Sequence, residues 1–192
     1  MQRSKNPDEL CYSFIYEPSI LCDYEVVTDE LCSLIGGAFS LLHGEGGIKT
    51  DDIAADLDRL QPLAFHLNGS IRGRMAVEEA DIIWLQGRLS HYYAEIGPFK
   101  GFVLPRGDTP VPQLNQARSA AKKAIRLMVR VEEEGRAVPP ELPRLANLMC
   151  NFLFALTQVI NRRRGFEETP FVSKSYSLGK RGNQAVFRVR EK

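Results

Sequence analysis

Apolar residues recur at intervals of three and four positions in five separate stretches of this chain. This period is typical of helices that bury one face, because about 3.6 residues make one turn. The predicted helices run from residue 28 to the glycine-rich run 44–47, and over 51–67, 77–96, 111–133 and 140–163. Only the short run 12–16 resembles a strand. The pattern predicts an all-α fold, a five-helix bundle with short connections.

The same pattern predicts how the chain is divided. A length of 192 residues favours a single domain with a full core. We expect an irregular N-terminal segment over 1–25, the bundle over 26–168 and a basic C-terminal tail over 169–192. Thr28 is expected to cap the first helix, and Pro62 to kink or locally break the second.

Composition limits which ligands and partners the protein is expected to bind and in which cellular compartment it is expected to occur. The net charge is +1, which provides no overall field for nucleic acid or for an acidic membrane surface. No stretch is long and apolar enough for a membrane span. The four cysteines have no C-x-x-C spacing and no nearby histidine, so we expect no metal site and no redox pair. Free thiols in a reducing compartment fit better, which favours a cytoplasmic protein.

Two of the predicted helices carry polar residues in an unusual arrangement. In the fourth, Arg118, Lys122 and Arg126 share one face at a four-residue spacing. The fifth is apolar on nearly every side and is expected to be buried all round, yet its polar side chains fall on one stripe, formed by Asn147, Asn151 and Gln158. Buried amides need polar partners. A nucleotide or anion site is one interpretation, and an exposed charged face or salt bridges between subunits is the other.

A loop rich in glycine and arginine follows the second predicted helix at residues 68–74. Its backbone amides are able to cradle a phosphate group. It lacks the Lys-Ser/Thr ending of a P-loop, so a plain connector is the favoured interpretation.

Four segments resemble a known family when they are taken in order. They read DELCSLIG at 29–36, FVLPRG at 102–107, RSAAKKAIR at 118–126 and NLMCNFLF at 147–154. They are similar to motifs of the PduO-type ATP:cob(I)alamin adenosyltransferases, which are trimers of five-helix bundles. The resemblance covers about residues 26–168 and implies a five-helix bundle of the ferritin-like up-and-down type. Each motif is weak alone, but four in matching order and spacing are fairly specific.

The resemblance implies an activity and a set of substrates. Members of the family transfer the 5′-deoxyadenosyl group of ATP, supplied with Mg²⁺, to cob(I)alamin and release triphosphate. By resemblance, Arg118, Lys122 and Arg126 hold the triphosphate, and Asn147 bonds to the nucleotide, with Asn151 in the same motif. A homotrimer is expected, with a corrinoid and a nucleotide as its small-molecule ligands.

The resemblance also implies an apolar corrinoid site and a bridge between subunits. Phe102 is the expected wedge against the lower face of the corrin, assisted by Phe166 or Phe171. Such a wedge expels the axial ligand of cobalt and makes the metal reducible. Asp29 and Arg118 match a pair that links neighbouring subunits in the family.

Departures from the family pattern affect mainly the ATP side. No T-G-D-x-G-T loop precedes Asp29, Ile125 stands in place of a glutamate, and Lys122 replaces an arginine. Lysine does not reproduce the two-pronged grip of arginine on phosphate. The sequence therefore leaves three hypotheses: a transferase in which Arg72 and Arg74 replace the loop, a non-catalytic corrinoid- or tetrapyrrole-binding carrier or sensor, and a scaffold.

Overall fold

The structure is a computed structural model that describes residues 3–43, 50–98 and 101–174. Within them the chain forms five α-helices, preceded by a single 3₁₀ turn, which confirms the predicted all-α bundle. The helices are α1 (Ile20–His43), α2 (Asp51–Gly69), α3 (Glu79–Ile96), α4 (Val111–Glu133) and α5 (Glu141–Arg163). No described helix has both the length and the apolar character that crossing a membrane requires.

The helices pack side by side in the order α2, α1, α4, α5 and α3. Helices α1 and α4 are antiparallel, because Glu30 bonds to Lys123 while Ile20 at the start of α1 bonds to Glu134 just beyond α4. The inner face of α4 is lined by small buried residues, Ala117, Ala120, Ala121 and Ala124. These short side chains let α1 and α5 approach α4 closely, and the polar residues of α4 are left on its outer face.

The first helix begins eight residues earlier than predicted, at Ile20 instead of Thr28. Thr28 is fully buried inside the helix, where its hydroxyl donates to the carbonyl oxygen of Tyr24 at 2.9 Å and does not cap anything. Ser19 is the residue that caps this helix, since its Oγ accepts the backbone N–H of Leu21 at 3.2 Å. The irregular N-terminal segment is therefore shorter than expected.

Pro62 does not break the second helix, because α2 continues through it to Gly69. Its ring lies on the exposed side of the helix, which limits the cost of the missing N–H. The strand-like run 12–16 forms turns instead of a strand. Its aromatic side chains pack locally, with Phe14 lying against the guanidinium of Arg72 at 3.8 Å.

The segment after α5 pairs with the linker between α3 and α4. Val103 and Pro170 form an antiparallel bridge, flanked by bonds from Leu104 N to Thr169 O at 2.9 Å and from Phe171 N to Phe102 O at 2.8 Å. We call this pairing the clasp. It includes the first residues of the predicted tail. The glycine-rich run 44–47 and residues 175–192 of the tail lie outside the described residues.

Candidate functional site

The predicted cationic stripe lies on the outer face of α4. Arg118 is half-buried beside α5, whereas Lys122 and Arg126 are exposed. Residues four apart on a helix are offset by about 40°, so the stripe turns gradually from α5 towards α1. Its two ends consequently face different surroundings.

At the α5 end, the guanidinium of Arg118 stacks over the ring of Phe154, with 5.0 Å between Cζ and the ring centre. Its Nε is buried and has no hydrogen-bond partner among the described residues. Burial lowers the pKa of Arg118, although the nearby Cys150 acts in the opposite direction. A partly desolvated cation without an ion-pair partner is able to accept an anion.

At the α1 end, Lys122 and Arg126 line a cleft of about 820 Å³ between α1 and α4. The cleft also holds Arg130 on α4 and apolar side chains of α1, among them Val26 and Val27. Neither Lys122, Arg126 nor Arg130 forms an ion pair with any residue that the structure describes. The described part of the cleft therefore offers cations that an anionic ligand can pair with.

The amides of α5 are not buried as predicted. Asn147 and Asn151 are exposed, because α5 packs on α4 and α3 and leaves a third side open. The Nδ2 of Asn147 donates to its own helix, at Pro143 O, over 2.7 Å. The predicted stripe is also divided, since the half-buried Gln158 faces a second, smaller cavity near the clasp.

Phe102 lies in the clasp with 51% of its surface exposed. It lines a cavity of about 210 Å³ together with Gln158, Val103 and Glu168. Phe171 is 46% exposed and is joined to Phe102 by the backbone bond of the clasp. Phe166 is half-buried at the end of α5. Of the two aromatic residues named as assistants to Phe102, Phe171 is thus the one that is bonded directly to it.

Asp29 is exposed on α1, and the described residues show no bond between Asp29 and Arg118 within one protomer. Their side chains are therefore available for contacts with another subunit. The expected bridge between subunits stays a prediction.

Arg72 is not available to bind phosphate, contrary to one of the hypotheses. Its Nε and Nη2 donate to the carboxylate of Glu25 at 2.6 and 2.9 Å, and Nη1 donates to Glu17 at 2.8 Å. These bonds raise the pKa of Arg72. The glycine- and arginine-rich loop thus anchors the N-terminal segment through Arg72. Of its two arginines, Arg74 is the one that is exposed.

Sequence reasoning missed a polar network at the end of α5. Arg163 bonds to Asp52 of α2 and to Glu95 of α3, each through two hydrogen bonds of 2.7–2.9 Å. Beside it, Tyr92 donates to the buried Asp56 at 2.7 Å. The sequence signal that could have indicated this network is the pair Asp52 and Asp56, which are spaced four residues apart on α2. The described residues contain no cluster of histidine, cysteine, aspartate or glutamate that is suited to a metal ion.

The fold places the chain among five-helix bundles. It superposes with a TM-score of 0.73 on an arginine-to-lysine variant of a PduO-type ATP:co(I)rrinoid adenosyltransferase from Lactobacillus reuteri complexed with ATP, at 21% identity over 82% of this chain and 90% of the other. A phenylalanine-to-alanine variant of the L. reuteri PduO-type ATP:corrinoid adenosyltransferase, complexed with cobalamin and ATP, gives a TM-score of 0.71 at 20% identity, covering 82% and 89%.

Residues 23–160 match the sequence model of the family described as cobalamin adenosyltransferase, and this chain belongs to that family. A corrinoid adenosyltransferase of Bacillus subtilis (strain 168) is 28% identical over 148 residues, covering 74% of this chain and 75% of the relative. A cobalamin adenosyltransferase of Cupriavidus metallidurans is 34% identical over 141 residues, covering 71% and 72%.

Proposed function

We propose that this protein is a corrinoid adenosyltransferase that transfers the 5′-deoxyadenosyl group of ATP to cob(I)alamin. The electron pair of the reduced cobalt forms the bond to C5′ while the bond from C5′ to oxygen breaks. The two electrons of that broken bond leave with triphosphate. The corrinoid substrate supplies the nucleophile. The protein supplies binding, orientation and neutralisation of the leaving charge.

The observation that carries the proposal is the unpaired, half-buried guanidinium of Arg118. Desolvation of a charged group without a partner is unfavourable, so its position at the seam between α4 and α5 requires another explanation. An anion arriving at that seam supplies the missing partner. The complexes of the superposed L. reuteri proteins with ATP support ATP as that anion.

On the nucleotide side, the proposal assigns triphosphate binding to Arg118, Lys122 and Arg126, with Mg²⁺ entering as part of the substrate MgATP. Asn147 and Asn151 are exposed beside the same seam, where their amides are accessible to a nucleotide. On the corrinoid side, Phe102 provides the apolar surface for the corrin, with Phe171 beside it, and Phe166 is assigned an assisting role from its position just after α5.

The proposal includes a homotrimer in the cytoplasm. The exposed Asp29 and the unpaired Arg118 support contacts between subunits that complete the site. The four cysteines, all of them free thiols, support a reducing compartment.

The test adds cob(II)alamin, a reductant and MgATP to the purified protein and follows the visible spectrum. Formation of adenosylcobalamin is the expected result. We expect Arg118→Met to reduce turnover by about a hundredfold through the loss of a charge at the transition state. Arg136→Met, an exposed arginine in the turn after α4, is the matched control and should leave turnover unchanged.

A second candidate function is a carrier or sensor that binds a corrinoid without transferring the adenosyl group. The engagement of Arg72 by Glu17 and Glu25 favours it, because this removes a substitute for the missing phosphate loop. The same experiment separates the two candidates. A spectral change of cob(II)alamin without product would support the carrier, and no spectral change at all would exclude both.

A further inference from the structure

The linker between α3 and α4, which carries Phe102, is bonded at Arg106 to a buried side chain, Asn161 of α5. Asn161 is 2% exposed, and its Nδ2 donates to the carbonyl oxygen of Arg106 at 2.9 Å. The same Nδ2 lies 3.3 Å from Oε1 of Glu168, in the segment after α5. A single amide group therefore joins both strands of the clasp to the end of the helix.

The opposite side of this amide is packed against Gly107. A Cβ built on Gly107 would lie 2.2 Å from Oδ1 of Asn161 and 2.8 Å from Cγ1 of Val111, so only glycine fits. Oδ1 has no hydrogen-bond partner among the described residues. If the amide were flipped by half a turn, Oδ1 would face two other acceptors, the carbonyl oxygen of Arg106 and Oε1 of Glu168. Two acceptors form no hydrogen bond with each other, so the observed orientation is the one that allows hydrogen bonds.

The position of this contact relates it to Phe102. Arg106 and Gly107 follow Phe102 by four and five residues in the linker between α3 and α4. Glu168 lies two residues before Pro170, which pairs with Val103. Phe102 itself is half-exposed, so the core does not fix its ring from all sides. The backbone of the clasp contributes to the position of this ring, and Asn161 is a buried side chain that bonds to that backbone at Arg106.

We propose that Asn161 is a positioning residue for the corrinoid substrate, and that it acts through Gly107 and the clasp on Phe102. It touches neither substrate. The inference rests on the proposed function, because it assigns Phe102 the role of pressing on the corrin. A wedge displaced by about 1 Å loses much of its effect, in the way that misplaced catalytic groups cost on the order of a hundredfold in rate.

The first test measures how firmly Asn161 holds the clasp, without any substrate. It follows amide hydrogen exchange in peptides from 101–108 and 166–172. In Asn161→Ala, we expect exchange in both peptides to accelerate by roughly tenfold, the factor that corresponds to one lost hydrogen bond. The matched control is Arg162→Ala, because Arg162 also donates to a backbone carbonyl, that of Glu95 at 2.7 Å, but on α3. Unchanged exchange in Asn161→Ala would overturn the inference, whether or not the protein is active.

The second test is a double-mutant cycle with Phe102→Ala, read as kcat, as the KM for ATP and as the fraction of four-coordinate cob(II)alamin in the visible spectrum. We expect Asn161→Ala to lower kcat and the four-coordinate fraction by roughly tenfold or more and to leave the KM for ATP unchanged. In the Phe102→Ala background, the same substitution should have almost no further effect. Equal losses in both backgrounds would mean that Asn161 has only a general structural role and would overturn the inference.

Gly107→Ala provides an independent variant in case Asn161→Ala folds poorly. Its methyl group collides with Oδ1 of Asn161, so we expect the same loss of kcat and of four-coordinate cob(II)alamin. Normal values in a folded Gly107→Ala protein would contradict the inference. A wild-type protein that forms no adenosylcobalamin would instead contradict the proposed function, and the exchange experiment would still decide whether Asn161 holds the clasp.

Discussion

Arg163 is the residue whose replacement gives the sharpest test of how this bundle is held together. Its guanidinium lies at the end of α5 and bonds to Asp52 at 2.7 and 2.9 Å and to Glu95 at 2.8 Å twice. The two carboxylates belong to α2 and α3, so one side chain connects three helices. Asn161 lies two residues before it, and Thr169 of the clasp lies six residues after it.

The expected loss of stability follows from the burial of this group. Removing one partner of a buried ion pair costs about 3–5 kcal/mol, because a charge is left without compensation. The side chains here are 20%, 37% and 29% exposed, so solvent screens part of the repulsion between the two remaining carboxylates. We therefore expect Arg163→Met to lower the free energy of unfolding by about 2 kcal/mol at pH 7.

The effect depends on pH with a definite sign. The hydrogen bonds from Arg163 hold the pKa of Asp52 below its usual 3.8 and that of Glu95 below its usual 4.5. The native protein then binds fewer protons than the unfolded chain, so the contribution is complete above about pH 5 and is lost as the pH falls through the lowered pKa values. The difference between wild type and Arg163→Met should accordingly shrink below about pH 4.

Urea unfolding followed by circular dichroism measures this directly. With a slope of about 2 kcal/mol per molar urea, the midpoint should fall by about 1 M at pH 7. Arg144→Met is the matched control, because Arg144 on the same helix also grips a glutamate of α3, Glu79, through two bonds of 2.7 Å, but both side chains are about half exposed. Its midpoint should hardly change. Equal shifts in the two variants, or a difference that grows at low pH, would refute the reasoning.

Three further predictions concern the subunit interface, the nucleotide and the core. In the proposed trimer, Asp29→Ala should weaken subunit association by roughly 3–5 kcal/mol if the pair with Arg118 is desolvated at an interface. Light scattering over a dilution series measures this association, and a stable trimer with unchanged corrinoid affinity counts against the prediction. Lys122→Arg should lower the KM for ATP by about tenfold through a two-pronged phosphate contact, and an unchanged KM would place this side chain away from the phosphates. Tyr92→Phe removes the bond to Asp56 and should cost about 1–2 kcal/mol in thermal unfolding, whereas an unchanged melting temperature would show that the bond contributes nothing.

Local pattern was sufficient for most of the helices but not for the start of the first. The predicted limits of α4 are the observed ones, because a strong apolar period and Pro112 near its first residue mark it clearly. The start of α1 at Ile20 was missed although Ser19 is a normal cap. Its second cap is Glu134, which accepts the N–H of Ile20 from 114 residues away, and no local pattern reveals such a partner.

Some features of the candidate site could likewise be predicted from the sequence, and others could not. The four-residue spacing of Arg118, Lys122 and Arg126 determined that they share a face, since helix geometry alone sets that relation. Whether Asn147 is buried or exposed depended instead on which neighbours surround α5, and the apolar pattern predicted this wrongly.

The sequence by itself determined the five-helix architecture, the family and the residues that carry charge, because these follow from periodicity, spacing and motif order. Only the tertiary structure decided which charges are already paired, as Arg72 and Arg163 are, and which are not, as for Arg118. It also revealed that Asn161 holds the linker of Phe102. Pairing of this kind depends on distances of about 3 Å between atoms far apart in the chain, and the chain alone does not encode them in any short pattern.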